Sequence, residues 1–167
     1  LDLTNKQHTE IEIVTNGILA KDHWHKMAGI HKNVIRFKIS FDAGQEDTYN
    51  ITRRGGSWSK LLASCKYIVK WKQKNYSKMK IAANFVVQNE NYKEMATFAK
   101  LCLDMGFDEI YFQKISDWGT FDNYNEHAVW HSDHPNYADF VEYLKDPALD
   151  HNKIDFTNLT VLRNEIK

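Results

Sequence analysis

Lys80-Ile81-Ala82-Ala83-Asn84-Phe85-Val86-Val87, followed by Gln88-Asn89-Glu90-Asn91, an amphipathic run that closes at Gly106, and then Glu109-Ile110-Tyr111-Phe112-Gln113, is the stretch that decides the fold. The first octet is a short, apolar run of strand length. Asn91 with Glu94 three residues later has the pattern of a capping box, and so predicts a helix start. Met95, Phe98, Ala99, Cys102 and Met105 recur at three-and-four spacing, one apolar face of a helix. Gly106 is a natural terminator. Strand, helix and strand in succession predict two parallel strands joined by a helical crossover.

The same alternation extends outward. Upstream, Val34-Ile35-Arg36-Phe37-Lys38-Ile39-Ser40 reads as a strand ending at Asp42-Ala43-Gly44, and Ile11-Glu12-Ile13-Val14 as another, stopped by Asn16-Gly17. Residues 21–31 read as a short helix. Residues 57–74 read as a long one, with Trp58, Leu61, Leu62, Cys65, Ile68 and Val69 on one stripe. Downstream, 117–135 reads as an irregular loop, 136–145 as a last helix, and Leu159–Leu162 as a short strand. The expected fold is α/β: an incomplete (β/α) barrel of about four parallel strands with outer helices.

Composition narrows the function. The chain has 167 residues, 43% hydrophobic and 26% charged, which fits one folded domain, 1–167. Lys+Arg and Asp+Glu are both 22, so net charge gives no case for a nucleic-acid partner. Lys66, Lys70, Lys72, Lys74, Lys78 and Lys80 do interleave with Tyr67, Trp71 and Tyr76, which reads as the solvent side of an outer helix. No apolar run approaches the roughly 20 residues of a bilayer span, and no leader is visible, so a cytoplasmic location is expected. Two cysteines, Cys65 and Cys102, fall on apolar helix faces and read as core.

In parallel sheets, ligands bind at the carboxyl ends of the strands. Those ends carry Thr15-Asn16-Gly17, then Ser40 and Asp42 with Arg53 further on, then Gln88, Asn89 and Asn91, then Lys114, Ser116, Asp117 and Trp118. Neutral donors, a carboxylate and a guanidinium suit a zwitterionic or ribose-bearing ligand. His127, His131 and His134 form a second cluster. His127 and His131 would share a helix face and could ligate a metal, but Pro135 and a weak helical pattern argue against that.

In order and spacing, four segments resemble the radical S-adenosylmethionine superfamily, in its SPASM/twitch-like group. Ile11-Glu12-Ile13-Val14-Thr15-Asn16-Gly17 is similar to the "TNG" strand, and Ile39-Ser40-Phe41-Asp42-Ala43 to the "S-x-D-(G/A)" strand. Thr48-Tyr49-Asn50-Ile51-Thr52-Arg53-Arg54-Gly55-Gly56 resembles "T-Y-x-x-(I)-R-x-G-G", and Val86–Met95 resembles "V-V-x-x-x-N-x-x-E-(L/M)". The resemblance implies the third to sixth strands of a partial (β/α) barrel, over about 11–115. Such a barrel holds S-adenosylmethionine beside a [4Fe-4S] cluster and generates a 5′-deoxyadenosyl radical. It further implies that Ser40 and Asp42 hydrogen-bond the ribose or amino acid part of the cofactor. Arg53 would pair with its carboxylate, Asn16 would sit at the rim, and residues near Asn89 would line the adenine.

The three-cysteine cluster loop and the "G-G-E" strand of that family are absent. The chain therefore reads as the C-terminal two-thirds of such a core, inactive in radical chemistry alone, from a parent oxidoreductase or peptide- or sugar-modifying enzyme. Its open barrel edge predicts a homodimer or pairing with further chain. Two alternatives stay open: a non-catalytic binding or assembly domain of the same fold, and an ordinary α/β transferase using Asp42 with Arg53.

Overall fold

A computed structural model describes residues 9–75, 77–119 and 121–166; Tyr76 of the lysine-rich face lies outside them. Five strands form one sheet in the order β1-β2-β3-β4-β5, and every neighbouring pair is parallel. They are β1 Ile11–Thr15, β2 Val34–Ser40, β3 Lys80–Val87, β4 Glu109–Lys114 and β5 Ile154–Asp155. Spatial order equals chain order. With right-handed crossovers this stacks the connecting helices on one side of the sheet.

Alternation along the strands sorts the side chains between the two faces. On one face, Thr15, Ile39, Ala83, Ile110 and Ile154 stand in register from edge to edge. Phe37, Ile39, Ile81, Ala83, Phe85, Val87, Ile110 and Phe112 of this set are all at most 3% exposed. They form the core with the helices α3 Trp58–Lys74 and α4 Met95–Met105. The α3 stripe is as expected: Leu61, Cys65, Ile68 and Val69 are buried, and Ser57 caps its N-terminus. Gly106 ends α4 in the left-handed region at φ 89°, also as expected.

The opposite face is polar. Its rows read Val14, Lys38, Ala82, Glu109 and then Ser40, Asn84, Tyr111, Asp155. Arg36 of β2 pairs with Glu12 of β1 and, over β3, with Glu109 of β4 at 2.8 Å. Ala82 is the intervening residue beside Glu109, and its small side chain leaves room for that reach. Tyr111 donates to Glu109 at 2.9 Å, and the Lys38 ammonium lies 4.2 Å from the Tyr111 ring centre. Burial and this carboxylate push the Tyr111 phenol up to about 12.

Several expectations are corrected. There are five strands, not four: β5 is Ile154–Asp155, and the strand expected at Leu159–Leu162 is helical, with α6 spanning Thr160–Glu165. The helix expected at 21–31 is one turn, α1 Ala20–His23, continued as a 3₁₀ segment Trp24–Asn33. There Trp24 and His31 stack at 4.4 Å, and His31 Nε2 lies 2.8 Å from the Trp24 carbonyl. A further helix, α2 Glu46–Thr52, fills the stretch after β2, and α5 is Tyr137–Leu144. Among the described residues no helix is long and apolar enough to cross a membrane.

Asn91 and Glu94 do not form a capping box. The Asn91 side chain accepts from the Gln88 N–H at 2.9 Å and donates to the carbonyls of Asp42 and Val86, both at 2.9 Å. Glu94 accepts from the Gly44 N–H at 2.7 Å, from Gln45 at 2.8 Å and from the Thr48 hydroxyl. Both side chains fasten the loop after β2 to the start of α4. Replacing Glu94 with Ala leaves a buried N–H and two polar side chains without an acceptor. The expected loss is about 3 kcal/mol, read as a lower urea midpoint at unchanged slope.

Candidate functional site

The carboxyl ends of β2 and β3 meet at Asp42. This residue is 6% exposed and sits at φ 57°, a left-handed conformation that Asp tolerates better than most residues. One carboxylate oxygen accepts the Val86 N–H at 2.8 Å; the other pairs with the Arg53 guanidinium. Desolvation raises the Asp42 pKa above its usual 3.8, against the lowering pull of Arg53 and of the Val86 N–H.

Arg53 is placed by α2. It follows the last helical residue, its N–H bonds the Tyr49 carbonyl at 2.8 Å, and its own carbonyl accepts from Gly56 at 2.9 Å. Gly56 is required by space: a Cβ there would stand 2.6 Å from the buried Tyr49 hydroxyl and 2.9 Å from the Arg53 carbonyl. The Arg53 Nε is buried with no partner, Nη2 holds Asp42, and Nη1 has no partner among the described residues.

This pair borders a cavity of about 800 Å³, whose other walls include Gln88, Glu90, Ile115, Phe121 and His127. Glu90 Oε1 and His127 Nδ1 are 2.6 Å apart, and the Phe121 ring lies 4.6 Å from the imidazole. The cavity therefore carries two side chains that each pair with a carboxylate, Arg53 with Asp42 and His127 with Glu90.

The structure brings only part of the expected set together. Asp42 and Arg53 meet. Ser40 lies two residues before Asp42, half-buried at the end of the polar face of β2 beside Asn84. Asn16 is exposed in the turn after β1, where its side chain accepts from the Ile18 N–H at 3.3 Å. Its neighbour Gly17 has φ 75°, and a Cβ there would meet Ile39 at 2.7 Å and Leu61 at 2.9 Å. Asn89 faces a neighbouring cavity of about 660 Å³ with His131 and His134, and accepts from the Asn136 amide at 2.8 Å.

The histidine cluster separates. His127 pairs with Glu90, and His131 packs against Tyr124 and Trp130. His134 bonds the Glu126 carbonyl at 3.2 Å and accepts from the Asn136 N–H at 3.0 Å. No group of three or more metal-ligating side chains occurs among the described residues. Cys65 and Cys102 are free and buried, and burial pushes both thiols up, away from the thiolate that binds metal.

Three residues were legible only in part or not at all. Asn84, a polar residue inside an apolar strand, is 6% exposed with an unpartnered oxygen; its position in the strand is a signal. Glu90 and His127 are far apart in sequence and give no local sign of pairing. No protein-family model matches the chain, and no curated protein matches it.

Two outcomes follow from this geometry. Gly56→Ala forces Tyr49 or Arg53 to move and costs about 1–3 kcal/mol, measurable by thermal unfolding. Because the folded pKa of Asp42 is raised, the folded state holds the extra proton. This carboxyl's contribution is complete below 3.8 and is lost as pH rises through the folded value. Stability measured by urea unfolding over about pH 4 to 7 falls less steeply in Asp42→Asn than in the native chain, and more steeply in Arg53→Met.

Proposed function

We propose that this chain contributes the S-adenosylmethionine-binding strands of a radical S-adenosylmethionine enzyme, its sheet forming part of an incomplete (β/α) barrel. One observation carries the reading. The Arg53 guanidinium, held on one side by the buried Asp42 carboxylate, lines a cavity at the carboxyl ends of parallel strands. The guanidinium has five N–H donors, more than Asp42 can use, and its planar fork matches the geometry of a carboxylate. Strand order equal to chain order, helices on one side and a polar opposite face support the barrel part of the reading.

The residues present fit the amino acid end of the cofactor. Arg53 would hold the carboxylate, and Asp42, buried and engaged with Val86, would fix Arg53. Ser40 and Asn84 would face the sugar or the substrate from the polar face. S-adenosylmethionine supplies hydrogen-atom abstraction chemistry in that family. The described residues do not fit the iron–sulfur cluster, since both cysteines are buried in helices. No step of that chemistry is therefore assigned to them.

That same burial favours a second reading, a binding domain that holds the nucleoside without acting on it. In either case the outer edge of β1, unpaired among the described residues, is the place where a second copy, or further strands, would pair.

Calorimetric titration of the chain with S-adenosylmethionine and with S-adenosylhomocysteine tests the assignment. Both bind the native chain, and Arg53→Met weakens both by roughly tenfold or more. Equal affinity of the native chain and Arg53→Met would remove Arg53 from the site. Absence of binding to the native chain would overturn the reading.

A further inference from the structure

The inference below rests on the cofactor reading above but concerns a different group. Asp42 is 6% exposed, with one oxygen accepting from Val86 and the other holding Arg53, so little of its carboxylate is open to a ligand. Other groups of the cavity wall are more accessible to a nucleoside. His127 lines the cavity, and its Nδ1 is tied to Glu90 at 2.6 Å. With the Glu90 carboxylate as acceptor, the ring proton of neutral His127 sits on Nδ1, and Nε2 presents a lone pair. Nε2 has no partner among the described residues and is not among the buried unsatisfied atoms, so it is open at the surface. The Phe121 ring, 4.6 Å away, backs the imidazole with an apolar wall.

Two groups of the cavity thus share one design. Each lines the cavity while a carboxylate holds one of its nitrogens. Arg53 offers a donor; His127 offers an acceptor. Asp122 and Glu126 also line the cavity, which leaves anionic groups of a ligand to the arginine side.

We propose that His127 is a ligand-binding residue whose Nε2 accepts a hydrogen bond from a donor on the nucleoside part of the ligand, with Glu90 as the positioning residue that fixes its tautomer. The donors available on adenosine are the ribose hydroxyls and the 6-amino group of the base. The shared chemistry is a neutral O–H or N–H, and suitable analogues separate the sources.

The test is calorimetric binding of adenosine, 2′-deoxyadenosine, 3′-deoxyadenosine and purine riboside to the native chain and to His127→Phe. The native chain binds adenosine about tenfold more tightly than whichever analogue lacks the donor that His127 reads. His127→Phe, at a half-exposed position that tolerates a ring of similar size, binds adenosine and that analogue equally. Glu90→Ala narrows the same difference without abolishing it, and His127→Gln, which keeps an acceptor near the Nε2 position, restores part of it. These are changes in discrimination that a merely structural role would not produce.

Unchanged discrimination in His127→Phe overturns the proposal, as does a native chain that binds all four nucleosides equally. Binding of none of them overturns it together with the cofactor reading. Nucleoside binding that depends on His127, with S-adenosylmethionine bound no more tightly than adenosine, leaves the proposal standing and defeats the cofactor reading alone.

Discussion

A buried carboxylate cannot stay charged without partners, and the loop after β2 is built around that constraint at Asp42. Its side chain ties β2 to β3 through the Val86 N–H and draws Arg53 back from the end of α2. Its carbonyl is held by Asn91, which also bonds Val86 and Gln88. Glu94 then fixes Gly44, Gln45 and Thr48, so the loop and the first turn of α2 are anchored to the start of α4. Remove the carboxylate and Arg53 has no reason to point where it does. Cleft geometry here depends on side-chain bonds that cross between βα units, not on the sheet ladder alone.

The sheet serves this arrangement by dividing its faces. One face packs Phe37, Ile39, Phe85 and Phe112 under the helices and supplies the apolar burial that stabilises the fold. The other carries Arg36 between Glu12 and Glu109, with Lys38 over Tyr111. Parallel sheets usually bury both faces under helices. A charged sheet face with paired ions departs from that pattern and directs polar chemistry to the side away from the core.

Much of this was readable in advance because it is periodic. The octet 80–87, the α3 stripe and the glycine stop at Gly106 rest on burial and on local backbone preference, which sequence spacing records directly. Where tertiary bonds compete with local ones, the reading failed. Asn91 and Glu94 have capping-box spacing, yet each bonds the loop after β2, because several buried partners outweigh one capping bond. Ile154–Asp155 is too short for a two-residue alternation to register, and its pairing with Ile110 and Tyr111 is a long-range fact. The Asp42–Arg53 pair was visible through the order of strand ends, which put a carboxylate beside an arginine. The Glu90–His127 pair joins two loops, and nothing in either loop announces the other.

Strand order identical to chain order has a consequence for how the molecule is made. Each new strand pairs with the strand just before it, so no pairing waits for chain still to be synthesised. The longest delay is one crossover, and the sheet lengthens by whole βα units, much as a repeat array does. Assembly on the ribosome can therefore run in step with translation, with each helix covering the last strand pair as it emerges.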